Sequence, residues 1–147
     1  MQISYIKLFL RLALSASFLS AVADRLGYWP AEVSVWGNWQ AFTEYTQIIN
    51  PWLPASINPA MATIATVAEV ILAIALILGF KTRWAAILSG ILLLIFALSM
   101  TLSTGIKGAF DYSVFTAAAA AFALSAMPQR FLEVDSLLEP RTANLHR

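Results

Sequence analysis

Four long apolar runs divide this chain, at residues 6–23, 60–80, 84–103 and 109–127. At ~1.5 Å rise per residue each is long enough, as a helix, to cross most or all of the ~30 Å hydrocarbon core of a bilayer. The pattern predicts an all-α integral membrane protein: a four-helix bundle over residues 1–127, then a cytoplasmic C-terminal tail over 128–147. The last three runs are joined by a few residues each, whereas residues 24–59 form one long connection between the first and second. Connections of that length in a compact bundle tend to carry function, so a cover or a binding element is expected there. Within it Trp39, Phe42, Tyr45 and Ile49 recur at helical spacing opposite Gln40, Glu44 and Gln47. This predicts a short interfacial helix over residues 39–50, ended by Pro51 and Pro54.

The same connection holds Trp29, Trp36, Trp39 and Trp52, four of the chain's five tryptophans, together with Tyr28, Phe42 and Tyr45. Amphipathic rings prefer the headgroup level of a bilayer, so anchoring at the interface is the expected role. A lid over an outward-opening cavity would use the same residues. Basic residues near the segment ends set the orientation. With both termini cytoplasmic, Lys7, Arg11, Lys81, Arg83, Arg130, Arg141 and Arg147 fall inside, and only Arg25 and Lys107 outside. Ala21-Val22-Ala23 before Asp24 also fits a secretory cleavage site, but three later spans favour a retained first helix.

Composition narrows the chemistry. Of 147 residues 60% are hydrophobic and 12% charged, about half the charged fraction of a soluble domain; the bilayer itself is the first partner. The net charge of +1 is spread over short loops without a basic run, which excludes nucleic-acid binding. Cysteine is absent, excluding thiol redox chemistry, iron-sulfur ligation and Cys-based zinc sites. The single histidine, His146, lies next to the C-terminus, so no metal site or histidine-held haem is expected in the helices. Electrons passing through such a chain must be carried by a bound quinone or by a partner protein.

One residue breaks the apolar pattern at depth. Glu69 lies near the middle of the second run, where an acid costs roughly 2.5–3.5 kcal/mol on insertion scales and is therefore turned toward protein or water. Counted by helical rise, Arg11 approaches it from the antiparallel first helix, and an Arg11–Glu69 pair is one expectation; snorkelling of Arg11 to the interface is the other. Thr66, one turn from Glu69, is placed to donate a hydrogen bond to it. Ala62, Ala65, Leu72, Ala73 and Leu76 share that face. A second polar cluster is expected at the outer boundary, from Asp24, Arg25, Lys107, Asp111 and Tyr112, forming a gate or a headgroup site; for Asp111 helix capping is the simpler role. Small residues at Ala13, Ser17 and Ala21, at Ala86 and Gly90, and from Ala117 to Ala121 predict close helix seams.

The run Leu78-Gly79-Phe80-Lys81-Thr82-Arg83-Trp84-Ala85-Ala86, with Ala68-Glu69 before it, Arg11 ahead of a small-residue helix, and Asn58-Pro59 opening the second span, resembles the DoxX family of four-helix membrane proteins. The resemblance extends over residues 8–127. It implies a component of a quinone-linked oxidoreductase system, similar to a thiosulfate:quinone oxidoreductase subunit, in a bacterial or archaeal cytoplasmic membrane. It also implies a redox partner protein. In that reading a quinone pocket lies near Glu69, whose carboxyl exchanges the proton, with Thr66, Arg11 or Tyr112 as helpers, and Asp24, Arg25, Asp111 and Tyr112 are the ligand-binding candidates at the outer boundary; self-association is left open. Where many relatives have Gly then Lys at the end of the first helix, this chain has Ser-Ala-Val-Ala-Asp-Arg, and Arg25 replaces the charge. Behind the redox component stand a noncatalytic scaffold or assembly factor, and then a small proton-coupled exporter built on one embedded Glu. The basic-residue bias sets the chain apart from exporters that insert in both orientations.

Overall fold

In the computed structural model, which describes residues 2–138, the chain folds as α1 (Gln2–Arg25), α2 (Trp39–Ile49), α3 (Asn58–Leu78), α4 (Thr82–Ser103), α5 (Ile106–Asp111), α6 (Val114–Ser125) and α7 (Asp135–Leu138). No strand occurs among the described residues. α1, α3, α4 and α6 form a ring in which each packs on the next and α6 returns to α1. Leu14, Phe18, Leu72, Leu76 and Leu124 meet at its centre. The outward faces stay apolar: Phe9 and Leu12 on α1, Ile64, Val67, Ile71 and Ile74 on α3, and Leu88, Ile91 and Ile95 on α4 are exposed. Such a surface belongs in lipid, and α1, α3 and α4 are each long and apolar enough to cross a membrane.

Helix ends follow local chemistry. Pro59 in the first turn of α3 loses no needed N–H, and Gly79 ends that helix in the left-handed region at φ 66°. A Cβ on Gly79 would lie 2.6 Å from Glu133 Cα, so the glycine also lets the C-terminal segment approach. Gly90 seats the Phe122 ring where α4 and α6 cross; a Cβ there would sit 2.7 Å from it.

The fourth apolar run departs from the single span expected over residues 109–127. It is divided at Tyr112 and Ser113, the latter at φ 56°, leaving α6 only 12 residues long. Asp111, Tyr112 and Ser113 are weak helix formers, and the turn closes on itself when Tyr112 N–H donates to Gly108 O and Ser113 N–H to Phe110 O. The seams also divide. Ala86, Gly90, Ala118 and Ala121 are buried in helix contacts, whereas on α1 Ser17 is exposed and Ala13 and Ala21 only half-buried.

Residues 128–138 fold back onto the corner between α3 and α4. Val134 N–H donates to Leu78 O (3.0 Å) and Asp135 N–H to Gly79 O (3.1 Å). The Asp135 carboxylate then accepts from Lys81 N–H (2.7 Å) and Thr82 N–H (2.9 Å), capping α4. Arg141, His146 and Arg147 lie outside the described residues.

Candidate functional site

α1 continues past its apolar run by one charged pair, Asp24-Arg25, and both side chains are buried. Arg25 turns into the bundle toward α3. Its Nη1 donates to Thr66 Oγ1 (2.9 Å) and meets Glu69 Oε2, while Nη2 donates to Glu69 Oε1 (3.0 Å). The two parallel contacts make a bidentate pair, the geometry that suits a planar guanidinium and a carboxylate. Glu69 is 2% exposed and Arg25 3%. Two ions so far from water hold together only when good geometry and further hydrogen bonds offset the desolvation; Thr66 supplies one of those bonds.

The connection above this pair is tied down by the neighbouring acid. Asp24 accepts from the Ser34 hydroxyl and from the N–H groups of Val35 and Trp36, each at 3.0 Å. That clamp sets Trp36 over the guanidinium, with Arg25 Cζ 5.3 Å from the Trp36 ring centroid and 3.8 Å from that of Phe42 on α2. Both distances lie in the range of cation–π attraction. α2 is fixed to the bundle: Asn58 Nδ2 donates to Thr43 O (2.7 Å), Ser99 Oγ donates to Asn50 Oδ1 (2.9 Å), and Phe42, Thr46 and Ile49 are buried. The loop aromatics therefore form two groups. Trp29 and Trp52 are exposed, whereas Trp36, Phe42 and Tyr45 face a cavity.

That cavity has a volume of about 400 Å³ and lies between α1, α2, α4 and α6, with Ala65 and Glu69 of α3. Its walls are largely apolar, including Leu14, Phe18, Ile49, Leu93, Phe96 and Met100. Arg25, Glu69 and Trp36 border it together, and Thr46, Asn50 and Ser113 add further polar groups to the lining. Two buried donors in this group, Arg25 Nε and Trp36 Nε1, have no hydrogen-bond partner among the described residues. An unpaired buried donor costs about 1–3 kcal/mol, so the cavity beside them is suited to an acceptor brought in by a ligand. Tyr45 and Tyr112 add two phenols to the lining. Burial, and less strongly the Tyr112 phenol, pushes the Tyr45 phenol above its ordinary value, so it remains a proton donor at neutral pH.

Arg11 belongs elsewhere. Its Nε donates to Leu76 O (2.8 Å), Nη2 to Ile77 O (2.9 Å) and Nη1 to Phe131 O (3.0 Å). These bonds fill the open carbonyls at the end of α3 and hold the C-terminal segment. Glu133 lies 3.7 Å from Arg11 Nη1 and 2.8 Å from Lys7 Nζ. The expected Arg11–Glu69 pair does not form, because Leu76 and Ile77 are seven and eight residues beyond Glu69, roughly 11 Å along the helix, and each end of the guanidinium is already engaged.

The outer cluster expected from Asp24, Arg25, Lys107, Asp111 and Tyr112 separates into four parts. Arg25 joins Glu69, and Asp24 holds the loop. Lys107 and Asp111 pair with each other on α5, with side chains 86% and 57% exposed, away from the cavity. Tyr112 lines the cavity because the helix breaks beside it. Glu133 was hidden in the sequence by its place in a mixed-charge tail; its one signal is that it stands between the apolar Leu132 and Val134.

A family model described as DoxX matches residues 6–102, about two thirds of the chain. No curated protein and no solved structure matches.

Proposed function

The chain belongs to the DoxX family, and from that premise we propose that it is the membrane component of a quinone-linked oxidoreductase system, with the cavity beside Arg25 and Glu69 taking the quinone ring. The observation that carries this reading is the pair of unpartnered donors, Arg25 Nε and Trp36 Nε1, on two residues that border a largely apolar cavity. A quinone ring is flat and apolar and offers only acceptors, which those two donors complement. A bound quinone would supply the exchange of electrons and protons. Arg25 binds a carbonyl oxygen and favours negative charge on it, Trp36 gives a second donor, and Glu69 fixes the guanidinium and is the nearest carboxyl able to take or give a proton. Phe42 and Ile49 help keep water out. A chain without cysteine or intrahelical histidine leaves the electron donor to a partner protein. The setting is a bacterial or archaeal cytoplasmic membrane with both termini inside.

Mass spectrometry of the solvent extract from gently purified protein tests this reading. A quinone retained in stoichiometric amount by the wild type and lost from Glu69→Gln is the expected result; phospholipid alone in both would overturn it. One observation favours the scaffold as second reading: both carboxylate oxygens of Glu69 are occupied by Arg25, as a purely structural pair requires.

A further inference from the structure

We infer that the cavity is filled sideways from the bilayer, through a gap between α1 and α6 bordered by Ser17, Ala21 and Ala117, so that a bound quinone keeps its hydrocarbon tail in lipid while its ring lies against Arg25 and Trp36. The nature of the ring rests on the function proposed above; the route rests on the geometry of the gap.

Ser17 both lines the cavity and is exposed, as a residue at the mouth of the cavity would be. It lies eight residues before Arg25, roughly 12 Å along α1. Its exposed neighbours along α1 are Leu12, Ala16, Leu19 and Ser20, of which the two leucines belong against acyl chains. The Ser17 hydroxyl donates to Ala13 O (2.9 Å), so it needs no water and can border lipid. Across the gap stand half-buried Ala117 of α6 and, in the break before that helix, Tyr112 and Ser113, both exposed and both lining the cavity. Of the four neighbouring pairs in the ring, α1 and α6 are the most sparsely packed. The Ala13, Ser17 and Ala21 stripe therefore leaves room beside the cavity instead of closing a helix seam. Irregular backbone at membrane depth is tolerated where it borders such a cavity, which accounts for the break at Ser113. Over the other end Phe42, Thr46 and Ile49 of α2 are buried, and Val35 of the connection is the lining residue exposed there.

The polarity of the cavity points the same way. Its unpartnered donors belong to Arg25 and Trp36, while α1 between Arg25 and Ser17 adds only Ala21 and Phe18 to the lining and the Ser17 hydroxyl is bonded within its own helix. This arrangement complements an amphiphile with an accepting head and an apolar tail.

Photo-crosslinking in lipid nanodiscs tests the route on the unmodified full chain. The probe is a benzoquinone carrying an alkyl tail with a diazirine near its far end, and the competitor is the same ring without the tail. The inference expects crosslinks suppressed by the competitor to map to α1 around Ser17 and α6 around Ala117. Competitor-sensitive crosslinks on the outer faces of α3 and α4 would overturn the route while leaving the ring site standing. An absence of saturable labelling with either compound would overturn the quinone reading and the route together.

Discussion

The protein buries two arginine clusters on one helix, and they differ in what remains unsatisfied. Toward the N-terminal end of α1, Arg11 spends its donors on the carbonyls of Leu76, Ile77 and Phe131, with Glu133 balancing its charge. At the other end, Arg25 makes a bidentate pair with Glu69 yet leaves Nε without a partner, beside a cavity of about 400 Å³. Both guanidiniums are almost wholly buried, so burial alone does not distinguish them. The difference lies in the spare donor and the space next to it. A saturated buried charge holds elements together; one with a spare donor, on a residue that borders a cavity, has bonding capacity left for a ligand.

Replacing charge at each end sharpens that contrast. Arg11→Met leaves three carbonyls and Glu133 poorly compensated and should cost about 3–5 kcal/mol, read as a large fall in Tm, with ligand retention per folded molecule unchanged. The paired replacement Arg25→Met with Glu69→Leu should leave stability near the wild-type value, because apolar residues substitute well for a buried ion pair, while abolishing quinone retention. Gly79→Ala forces an L-residue to φ 66° and against Glu133 and should cost about 1–3 kcal/mol without touching the cavity. Asp135→Ala removes the α4 cap and should cost about 0.5–2 kcal/mol in thermal unfolding. The smallest effect belongs to Trp36→Phe, which keeps the ring over Arg25 but deletes one donor; a loss of about 0.5–1.5 kcal/mol of binding appears as a several-fold rise in Kd.

Hydropathy alone places α1, α3 and α4 to within a few residues of their observed ends, because long apolar segments have few alternatives in lipid. Glu69 stands out for the same reason: a carboxyl amid apolar residues is visible without any contact information. Its partner is not, since depth counting along two helices fixes neither their relative height nor the direction of a long side chain. Arg25, at the end of an apolar run, resembles an interfacial residue until the buried extension of α1 and the Asp24 clamp place it against Thr66. The break at Ser113 escapes hydropathy because the residues around it remain apolar on average. Glu133 escapes because its role depends on a chain reversal, and its place between Leu132 and Val134 does not reveal one.

The most direct test compares Arg25→Lys with Arg11→Lys, measuring Kd for a tail-free benzoquinone and Tm on the same preparations. Lysine keeps the charge but lacks the planar fork and the Nε donor. The account predicts that Arg25→Lys weakens binding by about tenfold or more at little cost in Tm, and that Arg11→Lys lowers Tm while leaving Kd unchanged. Equal affinity in wild type and Arg25→Lys, or a binding loss confined to Arg11→Lys, would contradict the assignment of the ligand site to the Arg25 end.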